Sequence, residues 1–584
     1  MKKLLVYLKG YTKECIFAPL FKLLEASFEL IVPLVVAAII DHGIAQSDRP
    51  YIYRMGGVMV LLALVGLTCS VTAQYFAARA AVGFSTKLRQ ALFSHIEKLS
   101  FSEMDTIGTS TLITRMTSDI NQVQSGVNLV LRLFLRSPFI VVGAMVMAFT
   151  VDVKAALIFV VTIPLLSIVV FSVMFVSIPL YKKVQQGLDR VLGHTRENLE
   201  GARVIRAFNK EKEETKEFEE SNDYLMKMQV LVGKISTLMN PLTYVIVNCA
   251  ILAVIWAGGK QVYIGALAAG QVVALVNYMS QILVELIKLA NLIVTVNKAV
   301  ACGNRIEEIL EVKPSVVCDE KTECKSGTAG APAVEFSHVS MTYADGAEEA
   351  LTDISFKVEK GQTIGIIGGT GSGKSSVVNL IPRFYDVSAG SVKVDGTDVR
   401  EYDLTELRDK IGVVMQKAVL FQGTIAENLR WGKPDATDEE LWKAIEVAQA
   451  TDVVQKKEGK LDYVIEQGGR NLSGGQKQRL TIARAVVKDS EILILDDSAS
   501  ALDFATEAGL RRALQNLQGN KTIFIVSQRT SSIRFADRII VMDDGQAVGI
   551  GTHEELLENC EVYREIYESQ FKKEEQGVKG GARS

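Results

Sequence analysis

Long apolar segments dominate the first half of the chain, and short alternating patterns replace them in the second. Six runs are long enough to cross a hydrocarbon core about 30 Å thick as helices. They lie near residues 16–40, 55–78, 133–151, 155–180, 239–258 and 267–297. A buried helix of a soluble protein would explain one such run, but six in the first half indicate membrane-spanning helices. The pattern predicts a six-helix membrane domain.

The first run contains charged residues. Lys22, Glu25 and Glu29 precede the uninterrupted apolar stretch Leu30–Ile40, as in a helix that leads into the membrane from water. A cleaved signal peptide does not fit, because the apolar core is too long and no small-residue cleavage site follows.

The loops between the runs alternate in length and charge. Short connections lie near 41–54, 152–154 and 259–266, whereas the loops near 79–132 and 181–238 are long and polar. Basic residues flank the membrane on the side of the long loops, at Lys2, Lys3, Lys9, Lys182 and Lys183. By the positive-inside rule this side is cytoplasmic. Six crossings then place both the N-terminus and the second half of the chain in the cytoplasm of a multi-pass protein.

Helical periodicity continues from the membrane into both long loops. We therefore expect helices that project into the cytoplasm, with solvated loops as the alternative that periodicity alone leaves open. The turns near Ser102–Thr111 and Glu200–Arg203 are candidate contact points with the second half of the chain.

Near residue 313 the composition changes. Residues 313–332 are rich in Lys, Gly, Pro and Ser without periodicity, which is typical of a linker, and Cys318 and Cys324 within it form no convincing metal or redox pair. Short β-branched runs then alternate with helical patterns, which predicts an α/β domain with a largely parallel sheet. The predicted division is a membrane domain over 1–312, a linker over 313–332, an α/β domain over 333–572 and a tail over 573–584.

Overall composition agrees with a membrane protein that carries a soluble domain. Hydrophobic residues make up 48% of the 584 residues and the mean hydropathy is +0.21, so the chain is not disordered. The net charge of −3 gives no sign of nucleic-acid binding. Seven scattered cysteines without metal-ligand spacing indicate reduced thiols rather than a disulfide framework.

A phosphate-binding loop follows the strand predicted over Thr363–Ile367. It reads Gly368, Gly369, Thr370, Gly371, Ser372, Gly373, Lys374 and Ser375, with a helix expected to begin at Ser376. This is GxxxxGK[ST] in its strand–loop–helix context, where backbone N–H groups and the helix N-terminus converge on phosphates. Lys374 is expected to reach the β- and γ-phosphates, and the Ser375 hydroxyl is expected to bind Mg²⁺. The domain is predicted to bind a nucleoside triphosphate.

A carboxylate and a glycine turn complete the pattern. The apolar run Ile492–Leu495 ends in Asp496 and Asp497, and an acid at the end of a buried strand suits Asp496 as the residue that organises Mg²⁺. Between the two motifs lie Leu472, Ser473, Gly474, Gly475 and Gln476, a glycine turn that opens a helix and could bind an anion.

These motifs together resemble the ABC ATPases, and six membrane helices ahead of one such domain resemble an ABC exporter half-transporter over residues 15–570 or so. The resemblance implies ATP and Mg²⁺ as cofactors and two nucleotide domains that enclose ATP between one chain's phosphate loop and the other's LSGGQ. Further residues then take family roles: Tyr343 as the aromatic that stacks on adenine, Gln416 as the Q-loop glutamine at Mg²⁺, Glu466 as the cross-domain sensor and Asp503 in the D-loop.

Two positions depart from the family pattern. Asp497 stands where the family has a catalytic glutamate, and Gln528 stands where it has a switch histidine. A carboxylate that is one methylene shorter falls about 1.5 Å short, and an error near 1 Å can cost on the order of 10²-fold in rate. Gln528 can donate a hydrogen bond to the γ-phosphate but cannot exchange a proton as imidazole does. Both changes are expected to weaken hydrolysis and leave binding intact.

The combination resembles the degenerate-site subunit of heterodimeric bacterial multidrug exporters. The resemblance implies a partner half-transporter with Glu and His at the two positions, and export of amphipathic small molecules through the lipid bilayer. A homodimeric lipid or peptide exporter and a non-pumping ATP-regulated subunit are the alternatives. Within this class the individual cargo is not predicted. Glu285 and Lys288 could be a buried pair on the transport path or a local pair near the membrane face. Arg132 and Arg136 fit the membrane edge or pairs with acids.

Overall fold

The computed structural model describes residues 3–317, 330–343, 348–516 and 521–580. It divides into two compact units, Met1–Glu97 with Thr109–Val312, and Lys98–Gly108 with Lys313–Ser584. Most of the expected linker, with Cys318 and Cys324, lies outside the described residues. The two units are called the membrane unit and the nucleotide unit below.

The membrane unit consists of long apolar helices. Among the described residues, six helices are long and apolar enough to cross a membrane, which confirms the predicted class. They are named membrane helices 1 to 6 in chain order: Lys3–Ile44, Arg49–Ile96, Thr109–Val151, Val153–Glu200, Glu211–Tyr263 and Ala269–Glu311. Helix 1 begins with a 3-10 turn over Lys3–Tyr11 and ends in a π turn over Ile39–Ile44, and the short helix Ala202–Ala207 precedes helix 5.

Local sequence sets where these helices begin and how closely they pack. Asp48 caps helix 2 by accepting a hydrogen bond of 3.1 Å from the Tyr51 N–H, and Asp152 caps helix 4 in the same way. Helices 2 and 4 each contain 48 residues, or about 72 Å of helix, so both extend well beyond a hydrocarbon core. Fully buried Ala73 and Ala77 on helix 2 let a neighbouring backbone approach closely.

The described residues of the nucleotide unit form three sheets. The strands are β1 Val334–Met341, β2 Leu351–Val358, β3 Thr363–Gly368, β4 Ala389–Val394, β5 Thr397–Asp398, β6 Ile411–Val414, β7 Gly423–Thr424, β8 Val464–Ile465, β9 Ile492–Asp496, β10 Thr522–Val526, β11 Arg538–Asp543 and β12 Gln546–Gly551. The largest sheet has the strand order β12–β11–β3–β10–β9–β6 and is parallel except for the β11–β12 pair. The second is antiparallel with the order β2–β1–β4–β5, and the third is the antiparallel pair β7–β8.

Buried strands place the functional loops at one edge. Every residue of β3, β9 and β10 is buried, and these three strands lie side by side and parallel. Their carboxyl ends therefore meet, so the segments after Gly368, Asp496 and Val526 converge. The helices of this unit are Phe101–Ile107, Lys374–Leu380, Leu404–Asp409, Ile425–Arg430, Asp438–Val447, Thr451–Gln455, Gly474–Val487, Phe504–Gln515, Thr530–Ile533, His553–Asn559 and Glu561–Gly580.

The helix Phe101–Ile107 is remote in sequence from the rest of the nucleotide unit but packs against it. Its capping box joins Ser100 and Glu103. The Phe101 ring lies 4.6 Å from that of Phe384, and the Tyr385 hydroxyl donates a hydrogen bond of 2.7 Å to Asp105. The contact point predicted near Ser102–Thr111 is thus present.

Candidate functional site

The phosphate loop connects β3 to the helix Lys374–Leu380, which begins two residues before the expected Ser376. Gly373, with φ of +90°, caps this helix in a left-handed conformation that favours glycine. A Cβ at Gly373 would also lie 2.8 Å from the Ala350 carbonyl oxygen. The glycine is therefore required both by backbone conformation and by the close neighbouring strand.

Lys374 lies inside the loop. Its ammonium donates hydrogen bonds to the carbonyl oxygens of Gly368, at 3.1 Å, and Gly369. Burial lowers the pKa of Lys374, and the nearby carboxylates of Asp497 and Asp496 partly oppose that shift. A cation at the centre of a glycine loop and at a helix N-terminus provides the field that holds phosphate.

Two oxygen ligands lie beside the lysine. The Ser375 hydroxyl donates a hydrogen bond of 2.9 Å to Asp496, which ends β9 and is 6% exposed. Burial raises the pKa of Asp496, the charge of Asp497 adds to that effect, and the Ser375 hydrogen bond opposes it. A hydroxyl and a buried carboxylate side by side are hard donors of the kind that Mg²⁺ prefers, and the cation would relieve the desolvated charge. The residues present therefore fit Mg²⁺.

A cavity of about 320 Å³ joins these residues to most of the others that the sequence singles out. Ala350, Val526 and Ser527 also line it, and no motif indicated them. The full lining is Tyr343, Ala350, Thr370, Gly371, Gly373, Lys374, Ser375, Ser376, Gln416, Asp496, Asp497, Val526, Ser527 and Gln528.

Tyr343 stands at the edge of this cavity. Its hydroxyl and that of Ser376 are 2.7 Å apart and share a hydrogen bond, and its ring meets the Tyr385 ring edge-on at 5.1 Å. The same Tyr385 contacts Asp105, and the Ser102 hydroxyl donates a hydrogen bond of 3.5 Å to the Tyr343 carbonyl oxygen, so the helix Phe101–Ile107 directly contacts the residue at the edge of this cavity. Tyr385 carries no motif, and sequence reasoning missed it.

Asp497 and Gln528 follow adjacent strands and face the same cavity. Asp497 has φ of +44°, and its N–H donates to the Val526 carbonyl oxygen at 3.1 Å. The Gln416 amide donates a hydrogen bond of 3.3 Å to the Asp497 carboxylate. The Q-loop and the position after Asp496 are thus in contact.

The segment around Gln528 is held from outside the cavity by Gln570 of the helix Glu561–Gly580. The Gln570 amide donates to the Gln528 carbonyl oxygen at 2.7 Å, and its oxygen accepts from both the N–H and the hydroxyl of Thr530, each at 2.9 Å. The sequence does not indicate Gln570, because a single glutamine on a polar helix carries no motif.

The LSGGQ residues lie elsewhere on the unit. Ser473 caps the helix Gly474–Val487 in a capping box with Gln476, and Ser473 and Gly474 are exposed. A Cβ at Gly475 would lie 2.9 Å from the Ala501 carbonyl oxygen. None of these residues lines the cavity of its own chain. A helix N-terminus is left free to face another molecule.

Two further predicted residues also lie outside the cavity. Asp503 caps the helix Phe504–Gln515 by accepting a hydrogen bond of 2.8 Å from the Thr506 N–H. Glu466 follows β8 with an exposed side chain. Asp503 has a structural function in its own chain, whereas the Glu466 side chain is free to meet a partner.

Comparison with known proteins agrees with this geometry. Residues 15–286 match the family of the ABC transporter transmembrane region, and residues 351–500 match the ABC transporter family. The chain is 37% identical to the uncharacterised ABC transporter ATP-binding protein YfiB of Bacillus subtilis, over 98% of this chain and 99% of that protein.

Two other relatives share the same percentage identity with the chain but are named for different cargo. The putative multidrug export ATP-binding/permease protein YgaD of Bacillus subtilis is 34% identical over 98% of both chains. The ATP-dependent lipid A-core flippase of Desulfotalea psychrophila is 34% identical over 82% of this chain and 84% of that protein. Overall similarity therefore does not distinguish drug from lipid cargo.

The fold also matches a solved structure of a bacterial Atm1-family ABC exporter with ATP bound. The TM-score is 0.78 at 22% identity, over 96% of this chain and 98% of that one. Taken with the family matches, the phosphate loop and the six membrane helices, this shows that the chain belongs to the ABC transporters, as an exporter half-transporter whose membrane domain is fused to an ATPase domain that drives export.

Proposed function

We propose that the chain is the degenerate-site half of a heterodimeric exporter that moves amphipathic small molecules across the cytoplasmic membrane. One observation carries the proposal: Asp497 and Gln528 line the same cavity as Lys374 and Ser375. The two departures from the family pattern therefore fall together at the place where the terminal phosphate would be cleaved.

Asp497 is poorly suited to activate water. Its carboxylate is one methylene shorter than that of the family glutamate, and a gap of about 1 Å can cost on the order of 10²-fold in rate. The Asp497 carboxylate also accepts a hydrogen bond from the Gln416 amide, so one of its oxygens is oriented toward the Q-loop and not toward a water molecule. Hydrolysis is therefore slow because the carboxylate is misplaced, not because a carboxylate is missing.

Gln528 is suited to hold phosphate but not to move protons. Its amide can donate a hydrogen bond to a phosphate oxygen, whereas an imidazole can also be charged or exchange a proton near neutral pH. Its backbone is fixed through the carbonyl oxygen by Gln570. A hydrogen-bond donor that is fixed in place but cannot transfer its proton stabilises bound ATP more than it accelerates cleavage.

Binding remains supported by the other residues of the cavity. Lys374 would neutralise the phosphates, Tyr343 would stack on adenine, and Ser375, Asp496 and Gln416 would hold Mg²⁺. When bound, Mg²⁺ neutralises charge on the phosphate oxygens. We infer that this site retains ATP through several transport cycles and keeps the nucleotide domains together.

The intact LSGGQ supports a role in a second site. Ser473 and Gly474 are exposed at a helix N-terminus and do not line the cavity of their own chain. They would complete the competent site of a partner that carries Glu and His, and that partner would carry the altered signature. ATP closure of the two nucleotide domains would then reach the membrane helices through segments such as Phe101–Ile107, which contacts Phe384 and Tyr385.

The decisive experiment compares the purified chain alone with the chain purified with its Glu-bearing partner half-transporter. We expect the chain alone to bind ATP with little turnover, and the pair to hydrolyse ATP and accumulate an amphipathic dye in inverted vesicles. Brisk hydrolysis by the chain alone would refute the degenerate site. Hydrolysis by the pair without uptake of any cargo would favour a non-pumping subunit.

A lipid exporter is the second candidate, because a lipid A-core flippase is as similar to the chain as the multidrug relative is. Homodimeric function would require competent hydrolysis at two identical sites, which Asp497 and Gln528 disfavour. Vesicles that flip a fluorescent lipid with the chain alone, and ignore the dye, would establish this alternative.

A further inference from the structure

Four charged side chains from three membrane helices form one cluster inside the membrane unit. The Arg136 guanidinium of helix 3 donates to Glu29 of helix 1 at 2.6 Å and to Glu285 of helix 6 at 2.7 Å. Lys288 and Ser137 donate to the same Glu285, each at 2.8 Å. Charges within a membrane domain are costly and therefore often functional.

The two halves of the cluster differ in exposure. The Arg136 and Glu285 side chains are 8% and 3% exposed, and Glu285 accepts from three donors. The Glu29 and Lys288 side chains are 41% and 42% exposed, and among the described residues each has one ion-pair partner. Arg136 and Glu285 form a buried ion pair, whereas the more exposed Glu29 and Lys288 retain capacity to bind something else.

Both exposed groups line a cavity of about 390 Å³ between helices 1 and 6. These helices are antiparallel, since Tyr278 donates to the Leu30 carbonyl oxygen and Gly270 donates to Asp41. Glu29 and Lys288 therefore lie at the same end. The full lining is Glu29, Val32, Pro33, Val36, Asn277, Ser280, Gln281, Val284, Glu285 and Lys288.

The cavity has apolar and charged walls, and one polar atom beside it lacks a hydrogen-bond partner among the described residues. Val32, Val36 and Val284 supply apolar surface beside the charged end. The side-chain oxygen of Gln281 is buried without a hydrogen-bond partner among the described residues. A buried acceptor that lacks a donor costs about 1–3 kcal/mol, and a donor on a bound molecule would remove that cost.

We propose that this cavity binds the head group of an amphipathic zwitterion, with an ammonium on Glu29, an anionic group on Lys288 and the apolar tail along the valines. The inference rests on the proposed export function, because it assigns the cavity to the cargo. Two carboxylates balance one guanidinium and one ammonium, so the cluster is formally neutral. A zwitterion contacts both exposed charges and keeps that neutrality, whereas a simple cation or anion contacts only one of them and gives the site a net charge.

Binding to the purified chain in nonionic maltoside micelles tests the inference without requiring ATP or a partner. The probes are lysophosphatidylethanolamine and dodecyl sulfobetaine, both zwitterionic, against lysophosphatidylglycerol and dodecyltrimethylammonium. We expect the zwitterions to bind at least about tenfold more tightly than either singly charged probe, which corresponds to about 1.4 kcal/mol. Preference for the lysophospholipid over the sulfobetaine would identify a lipid as the source, and equal binding would identify zwitterionic amphiphiles in general.

Charge-removing variants test the two contacts separately. Glu29→Gln should shift preference toward the anion, and Lys288→Gln should shift it toward the cation. Both leave the buried Arg136–Glu285 pair in place, so folding should be retained. Glu213→Gln and Lys260→Gln remove exposed charges outside the cavity and should leave the preference unchanged.

The outcomes separate this inference from the proposed function. Binding that does not depend on head-group charge, or is insensitive to both variants, would overturn the inference even if vesicles show ATP-driven transport. Selective binding that both variants redirect, combined with no transport by the chain and its partner, would leave the site established and refute export.

Discussion

The Gln570 side chain donates a hydrogen bond of 2.7 Å to the backbone carbonyl oxygen of Gln528. The donor lies on the helix Glu561–Gly580, and the acceptor lies at the nucleotide cavity. Because the same amide accepts twice from Thr530, it fixes the segment on both sides of Arg529. The helix Glu561–Gly580 therefore positions a residue that lines the same cavity as Lys374 and Ser375.

Gln570→Ala should weaken ATP binding and leave ADP binding unchanged. Three hydrogen bonds are lost, each with a net contribution of about 0.5–1.5 kcal/mol, and part of that loss should appear as mobility of Gln528. We expect the ratio of ATP to ADP affinity to fall about tenfold in equilibrium titrations. Gln570→Glu, which keeps the acceptor, should be intermediate. Ser569→Ala is the control, and equal loss of ADP binding would show a general folding defect instead.

Tyr343→Ala should reduce affinity for ATP and ADP to the same extent. Stacking of a base on an aromatic ring contributes about 1–3 kcal/mol, so the expected loss is roughly 5- to 150-fold. Tyr343→Phe keeps the ring and removes only the hydrogen bond to Ser376, so its affinity for both nucleotides should stay within about threefold of that of the wild-type protein. If the Phe variant binds as weakly as the Ala variant, the hydroxyl and not stacking is the important group.

Much of this site could be predicted because its motifs are local in sequence. Lys374 and Ser375 are adjacent to the glycines that shape the loop, and Asp496 ends a run of apolar residues that must be a buried strand. Parallel strands then bring these segments together at one edge, as in many α/β folds. Six apolar runs likewise fix the six membrane helices, because length and hydropathy alone decide whether a helix can span a bilayer.

Contacts that join distant segments could not be predicted. Gln570 contributes through three hydrogen bonds and Tyr385 through one, and neither residue lies in a motif. The strands β4 and β5 of the antiparallel sheet were also missed, because β4 contains Gly390 with a positive φ, β5 has only two residues, and Gly396 turns the chain between them. The Glu285–Lys288 pair, which the sequence left undecided, lies in a cluster whose third member Arg136 is 149 residues away from Glu285.

Ser473→Arg should abolish hydrolysis by the heterodimer while this chain still binds ATP. Ser473 caps an exposed helix N-terminus, and a bulky cation there would block the approach of the partner's nucleotide. We expect turnover of the pair to fall by on the order of 10²-fold. Thr437→Arg is matched, since Thr437 is also an exposed helix cap in a capping box. Loss of turnover in both variants would indicate that destabilised helices, and not the signature, cause the effect.

Asp496→Asn should stabilise the nucleotide-free protein at neutral pH. Burial raises the pKa of Asp496 above its ordinary value of 3.8, so the folded state binds more protons than the unfolded state between these two pKa values. Stability therefore falls as the pH rises through that window, and the full cost is reached once the pH exceeds the raised pKa of Asp496. The free energy of unfolding should rise by on the order of 1 kcal/mol, measured as a higher unfolding temperature. The difference from the wild-type unfolding temperature should shrink as the pH is lowered.

Asp395→Asn is a control in which the stability is expected to change in the opposite direction. Burial alone would raise the pKa of Asp395, but hydrogen bonds from Lys360 and Lys410 lower it overall. Its contribution to stability is present above the ordinary pKa and is lost as the pH falls through the lowered one. The variant should therefore unfold at a lower temperature at pH 7, with a deficit that shrinks in acid. A gain from Asp395→Asn, or no gain from Asp496→Asn, would contradict these assignments.

Asp497→Glu combined with Gln528→His should restore hydrolysis to this chain's own site. The measurement requires a partner whose catalytic glutamate is replaced by glutamine, so that background turnover is low. The added methylene moves the carboxylate about 1.5 Å further from the backbone, and the imidazole adds a group that can exchange protons at neutral pH.

We expect turnover to rise about tenfold or more above that background, at the scale of general base catalysis. Asp409→Glu combined with Gln515→His makes the same chemical changes on the exposed surface and should have no effect. Each single variant should recover only part of the rate, because Asp497 and Gln528 face the same phosphate position from adjacent strands. If turnover stays flat in the double variant while ATP still binds, the partner's signature rather than this cavity limits hydrolysis, and the degeneracy does not arise from Asp497 and Gln528.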